Sequence, residues 1–231
     1  MHILLIHQAF TSIDEAGGTR HYELARALAE QGHQVTIIAS PISYLTGKAT
    51  PGQPKIVHEH GITIYRTYTY PALHRSFFHR IISFISFMNS SFFRAIRIRK
   101  VDVVWGTSPP IFQGITAWLL ARLKRAPFVF EVRDLWPSFA IAIGILRNKF
   151  IIYLSKGLEK FLYRHADALV VNSPGYIEHV RQRGAKSVFL VPNSVDITMF
   201  PATENGMEFR ARYSWENKFL VFYTGAHGIS N

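Results

Sequence analysis

Cysteine is absent from the 231-residue chain. That excludes a disulfide framework, a thiolate metal site and a thiol nucleophile, and it fits a reducing compartment. Long apolar runs are missing too. The longest candidate, 81–93, is interrupted by Ser and Asn and falls short of the roughly 18 apolar residues that suggest a spanning helix. Residues 1–8 form one short apolar run with no basic flank before it and no small-residue cleavage site after it, so they read as a strand rather than an export signal. A cytoplasmic location is expected. The chain has no G-x-x-x-x-G-K-[ST] loop, no G-x-S-x-G and no H-E-x-x-H, which removes the common NTPase, esterase and zinc-hydrolase chemistries. The histidines are scattered except for His58-Glu59-His60, whose alternation on a strand would put both rings on one face. Surface histidines and no bound metal are expected.

Acidic residues are scarce, 15 against 26 basic ones, and the formal charge is +11. A field of that size attracts phosphates, nucleic acid or anionic lipid. No helix-turn-helix, aromatic RNA-binding strand or zinc-finger pattern is present, so nucleic acid is not an expected partner. The positive charge concentrates in 73–100, which holds Arg75, Arg80, Arg94, Arg97, Arg99 and Lys100, no acidic residue, and phenylalanines at 77, 78, 84, 87, 92 and 93. On a helix, His79, Ser83, Ser86, Ser90, Arg94 and Arg97 fall roughly along one face. Two readings stay open: an interfacial helix lying on an anionic membrane surface, or a helix packing its Phe/Ile face on the core with its arginines exposed.

Hydrophobic residues make up 48% of the chain and charged ones 18%, enough to bury a substantial core. Strands are expected at Ile3–His7, Gln34–Ala39, Ile62–Arg66, Asp102–Gly106, Phe128–Val132, Ala168–Asn172 and Val188–Val191, with helices between most of them. Runs such as Val103-Val104-Trp105 and Ala168-Leu169-Val170-Val171 lack polar alternation, as parallel strands covered on both faces do. The pattern predicts an α/β fold with a doubly wound, mostly parallel sheet. The first helix should follow Gly17-Gly18 at Thr19, bury Tyr22, Leu24, Ala25, Leu28 and Ala29, and stop at Gly32. The turn formers from Val191 to Gly206 mark the only boundary, giving a domain over 1–200 and a segment 201–231 that ends in a strand at Lys218–Thr224.

A glycine pair between a strand and a helix amino terminus can hold a phosphate, because glycine lets an anion approach the backbone and the helix end offers unpaired N–H groups. The same feature also serves as a plain βα turn. A dinucleotide site would need G-x-G-x-x-G directly after the strand, and here the loop from Gln8 to Gly17 intervenes.

Gly17-Gly18 with Glu23-Leu24-Ala25, Leu28 and Gly32-His33-Gln34-Val35-Thr36 resembles the opening of family 4 glycosyltransferases of the GT-B fold. Glu131-Val132-Arg133-Asp134-Leu135-Trp136-Pro137 resembles the segment after a central strand in a bacterial polysaccharide branch of that family. Val191-Pro192-Asn193-Ser194-Val195-Asp196, with Phe200 beyond it, is similar to the inter-domain stretch, with Ser194 where the family usually has Gly. Tyr223-Thr224-Gly225-Ala226-His227-Gly228 is similar to the first strand and glycine loop of the second domain. The resemblance spans almost the whole chain.

The resemblance implies the Rossmann-like amino-terminal domain of a GT-B enzyme, with the second domain truncated. It implies a retaining transfer of sugar from a nucleotide-sugar donor to a lipid-linked saccharide acceptor in polysaccharide assembly, with no cofactor and no required metal. Gly17, Gly18 and Arg20 would face the leaving diphosphate. Asp134, at a strand end, would position the acceptor hydroxyl or take its proton, unless it is a helix cap. Arg133 either orients Asp134 or is a cleft-edge charge. Arg80, Arg94 and Arg97 would meet the acceptor diphosphate and a membrane surface, making the enzyme peripheral on the inner face. The paired glutamates expected in the second domain have only chance counterparts here, Glu15/Glu23 and Glu208/Glu216. The chain as given is expected to be inactive alone; the alternative is a non-catalytic binding domain that works with a separate donor-binding subunit.

Overall fold

The computed structural model describes residues 1–15, 17–43, 46–49, 52–72, 76–194 and 206–223. Eight strands form one sheet: β1 (His2–Ile6), β2 (Gln34–Ala39), β3 (Ile56–Glu59), β4 (Ile62–Arg66), β5 (Val103–Ser108), β6 (Phe128–Val132), β7 (Ala168–Val171) and β8 (Val188–Leu190). Their order is β3-β4-β2-β1-β5-β6-β7-β8, and every neighbouring pair is parallel except β3 with β4. The doubly wound expectation holds, and the seven expected strands of this sheet stand within two residues of their sequence positions.

β1 shows why polar alternation was missing. All of its residues are buried, Leu4 and Ile6 in one apolar core and Ile3 and Leu5 in another on the opposite face. The first core is closed by helices α2 (Phe77–Ala95), α3 (Gln113–Lys124) and α5 (Lys149–His165), the second by α1 (Arg20–Glu30). Two glycines are demanded by this packing: a Cβ at Gly106 would stand 2.6 Å from that of Ala117, and one at Gly114 would stand 2.7 Å from the Phe130 ring.

The unexpected strand is β3, a short edge strand joined to β4 through His60 and Gly61, whose φ angles of 46° and 77° make the tight hairpin turn. His60 has therefore left the strand, and it does not share a face with His58. The expectation of surface histidines also fails at His2, His7 and His21, which are buried. α1 ends as its glycine requires: Gly32 has φ +83° and donates to Ala29 O, and His33 donates to Leu28 O.

α2 turns its serines inward. Ser83 is buried against Gln8, Ser86 accepts from Tyr70 N, and Ser90 donates to Tyr68 O, so this stripe fastens the chain that follows β4. Phe78, Ile85 and Phe93 are the exposed side chains. Arg94 lies over the Tyr65 ring at 3.7 Å, and Arg97 stands exposed beyond the helix end. Arg75 lies outside the described residues. No described helix is long and apolar enough to cross a membrane.

The chain divides into units Met1–Asn193 and Ser194–Asn231. In the second, α7 (Met207–Arg212) packs Phe209 against Tyr213, Trp215 and Phe222, and Arg210 donates to the carbonyls of Trp215 and Lys218. The expected strand at Lys218–Thr224 is not formed over 218–223, where no described strand offers its edge for pairing. Thr224, Gly225, Ala226, His227 and Gly228, together with Val195, Asp196 and Phe200, lie outside the described residues.

Candidate active site at the carboxyl ends of the central strands

In an open parallel sheet the chain order reverses at one point, and the crevice beyond the strand ends there is open to a ligand. Here that point lies between β1 and β5. Gln8 follows β1, Pro109-Pro110 follow β5, and both line a small pocket with Ser40, Thr69, Arg80 and Ser83. Gln113 fixes the pocket floor: its amide oxygen accepts from Gln8 N at 2.6 Å and its NH2 group donates to Thr107 O at 2.6 Å.

The glycine loop lies beside this point. Gly17 takes φ +153°, and a Cβ there would meet Thr11 Cγ2 at 2.6 Å, whereas a Cβ on Gly18 would meet nothing within 4 Å. Thr11 also donates to Gly18 O, and Glu15 accepts from Ser12 N and from Arg66, so the loop is held from within. No side chain caps α1; Thr19 donates instead to Glu23. Glu15 and Glu23 thus have separate structural partners. Their spacing of eight makes no paired site, and the exposed Glu208 and Glu216 make none either.

Arg20 does not project into open solvent. Its Nε donates to Glu131 at 2.9 Å, and its two terminal nitrogens donate to Pro192 O at 2.6 Å and Val191 O at 2.7 Å. Glu131 is fully buried at the heart of β6 and also accepts from His21 Nε2 at 2.5 Å. Burial alone would raise this carboxyl. The hydrogen bond from His21 and the charges of His21 and Arg20 outweigh burial and bring it down to about 2. Burial drives His21 the other way, below the ordinary imidazole range, against the pull of Glu131. His21 is therefore a neutral donor near neutral pH. His7, stacked on His21 with centroids 4.2 Å apart, is held well below that range, first by burial and then by the charges of His21 and Arg133. The ring nitrogens of His7 have no partner among the described residues. Sequence reasoning quoted Glu131 only as part of a motif and missed this cluster. The signal it could have used was a charged residue in the middle of an otherwise apolar central strand, which requires a buried partner.

Asp134 is exposed just past β6, as expected from its place at a strand end. Partial burial raises its carboxyl, and the positive charge of Arg133 opposes the rise. It does not cap the following helix, α4 (Ser138–Ala142), whose amino cap is Pro137. Arg133 donates weakly to Ser108 O at 3.4 Å, and its field reaches Asp134, His7 and His21. The structure thus gathers Gly17, Gly18, Arg20, Arg133 and Asp134 around the ends of β1, β5 and β6. Arg80 stands across the pocket on α2, and Arg94 and Arg97 lie at the far end of that helix.

Such a site on such a sheet defines a GT-B Rossmann-like domain. Residues 16–194 match the family model for the glycosyl transferase 4-like domain, and the chain belongs to that family. A protein of Escherichia coli K12, provisionally named colanic acid biosynthesis glycosyl transferase WcaI, is 25% identical over 89% of this chain and 54% of its own length. The chain therefore spans about half of that curated relative. Among solved structures, sucrose-phosphate synthase of Thermosynechococcus elongatus superposes with a TM-score of 0.68 at 17% identity, over 92% of this chain and 52% of that one. Anabaena HepE, solved in complex with UDP-glucose, superposes with a TM-score of 0.55 at 12% identity, over 95% and 51%.

Proposed function

We propose that the chain forms the acceptor-side half of a retaining glycosyltransferase that moves a sugar from a nucleotide-sugar donor to a lipid-linked saccharide in polysaccharide assembly. The observation that carries this reading is the meeting of an uncapped α1 amino terminus, the Gly17-Gly18 loop and Asp134 at the switch point of a family 4-like domain. The backbone N–H groups of the loop and of α1 stabilise charge on the leaving diphosphate, so the transfer runs without a metal. Asp134 receives or orients the acceptor hydroxyl proton, its raised pKa keeping it closer to the working range of a base. Arg20 acts on the diphosphate through its hold on the loop, since its nitrogens are committed to Glu131, Val191 and Pro192. The UDP-glucose of HepE and the name of WcaI support a nucleotide-sugar donor and a surface-polysaccharide product.

The protein works in the cytoplasm, its excess positive charge drawing it to the anionic inner face of the membrane. Alone, the chain binds acceptor weakly and turns nothing over. A second reading is a non-catalytic domain that needs a separate donor-binding subunit, and the 54% coverage of WcaI favours keeping it. Full-length gene product assayed against a panel of nucleotide sugars and lipid-linked acceptors decides between them. Turnover that is lost in Asp134→Ala with folding intact supports the enzyme reading; a folded full-length product inactive on the whole panel sinks it.

A further inference from the structure

Arg80 stands between two cavities of opposite character. On one side is the pocket at the switch point, with Gln8, Ser40, Thr69 and Ser83 in its wall. On the other is a cavity of about 230 Å³ enclosed by α2, the Pro109-Pro110 turn, α4 and the start of α5. Apart from Arg80 and Ser155, all the residues lining it are apolar, Phe84, Ile111, Phe112, Trp136 and Leu146 among them. Phe84 and the proline pair form the wall that both spaces share. Arg80 itself makes no hydrogen bond or ion pair among the described residues.

An apolar cavity of this size does not hold ordered water well, because water there finds too few polar partners. A space of about 150 Å³ already takes a six-carbon ring, so this one accommodates a longer branched hydrocarbon segment. Its opening is apolar as well: Phe139 and Ile145 both line the cavity and are 42% and 63% exposed, and Phe150, next to the lining residue Ile151, is 69% exposed. Exposing three large side chains around a cavity mouth is unfavourable in water unless something apolar covers them.

We infer that this cavity binds the first hydrocarbon units of a prenyl phosphate or diphosphate, with Arg80 at the boundary taking the anionic group and the polar pocket facing the attached sugar. The order of the three environments along the groove, apolar, cationic, polar, matches the order of parts in such an amphiphile. This deepens the acceptor role proposed above and rests on it. It assigns the lipid contact to the α2–α4–α5 cavity and not to Arg94 and Arg97, the first of which is spent on Tyr65.

The test is binding of farnesyl diphosphate, farnesol and inorganic pyrophosphate to the 231-residue chain, by calorimetry and by Trp136 fluorescence, at concentrations below micelle formation. Farnesyl diphosphate should bind at least about ten-fold more tightly than either partial ligand, since each contributes only one of the two contacts. Ala140→Leu, which fills the cavity, and Ile145→Glu, which charges its mouth, should each weaken farnesyl diphosphate by about ten-fold or more. Arg80→Ala should weaken farnesyl diphosphate and leave farnesol unchanged. Equal affinity for farnesyl diphosphate and pyrophosphate overturns the inference, as does binding that Ile145→Glu leaves intact. Adsorption to phosphatidylglycerol vesicles without any binding of the dispersed ligand also overturns it. Ile145 is exposed, so that variant keeps its fold even where Ala140→Leu does not. A full-length protein that glycosylates a soluble saccharide but fails these tests removes the cavity assignment alone; one that passes them but uses no donor supports the cavity and removes the enzyme reading alone.

Discussion

The Nε of Arg20 stands 2.9 Å from Oε1 of Glu131, a residue 111 positions further along the chain. Arg20 opens α1, where a positive charge is disfavoured by the helix dipole, and Glu131 sits in the middle of a buried strand, where a negative charge is disfavoured by desolvation. Each makes the other tolerable, and His21 shares the carboxylate. The same guanidinium holds the carbonyls of Val191 and Pro192, so one side chain ties the glycine loop, the central strand and the chain leaving β8.

Removing the carboxylate leaves a cation with little access to solvent. Glu131→Ala should cost about 3–5 kcal/mol of unfolding free energy, and Glu131→Gln less, because the amide still accepts one hydrogen bond. Urea denaturation of the two variants checks the order. A cost under about 0.5 kcal/mol for the alanine variant would mean the cluster is not a structural anchor.

The same carboxyl sets an acid limit. Folding lowers it from 4.5 to about 2, so its contribution is complete above pH 4.5 and is lost as the pH falls towards 2. Over that window stability should fall by about 1.4 kcal/mol per pH unit from this group, and the slope should shrink in Glu131→Gln. A pH series of denaturation midpoints measures it.

A second dependence begins at higher pH. His7 and His21 both lie below the ordinary value of 6.5 in the folded protein, so below 6.5 the unfolded chain takes up protons that the folded one refuses. Stability should therefore already decline on acidification from pH 6.5 to 5. His7→Phe should flatten that slope, whatever it does to stability at pH 8. An unchanged slope would show that His7 takes up its proton freely in the folded protein.

The two glycines of the loop should behave differently. Gly17→Ala combines a φ of +153° with a contact at 2.6 Å and should cost about 1–3 kcal/mol, while Gly18→Ala meets open space and should stay within about 0.5 kcal/mol. Thermal unfolding separates them. In the full-length enzyme, Gly18→Ala should then report on donor affinity without a folding defect.

Arg133 depresses the carboxyl of Asp134. Its replacement by Ala should move the acidic limb of the full-length enzyme's kcat/KM profile to higher pH, because the base then titrates later. A limb that stays in place would argue that Asp134 is not the titrating group.

The sheet was legible because its strands are buried on both faces. Ile3, Leu4, Leu5 and Ile6 must all be apolar whichever core they enter, and that demand shows in the sequence without any knowledge of partners. The β3 edge strand was illegible because two exposed faces impose no such demand on Ile56–Glu59. The final strand was expected from composition, but a strand exists only when another supplies its hydrogen bonds. In α2, amphipathic spacing was visible while its direction was not: serine is read as a surface residue until backbone from 68–70 arrives to pair with it.

The sequence by itself determined the doubly wound sheet, the position of the glycine loop and the placement of Asp134 at a strand end, because these follow from local periodicity and from turn chemistry within a few residues. Tertiary structure alone decided that Arg20 turns inward, that Glu131 is ionised at the centre of the molecule, that His7 and His21 are buried beside it, and that Arg80 divides a polar pocket from an apolar cavity. Each of these depends on residues dozens to more than a hundred positions apart. The energy of a buried charge is set by what surrounds it in space, which no stretch of chain carries on its own.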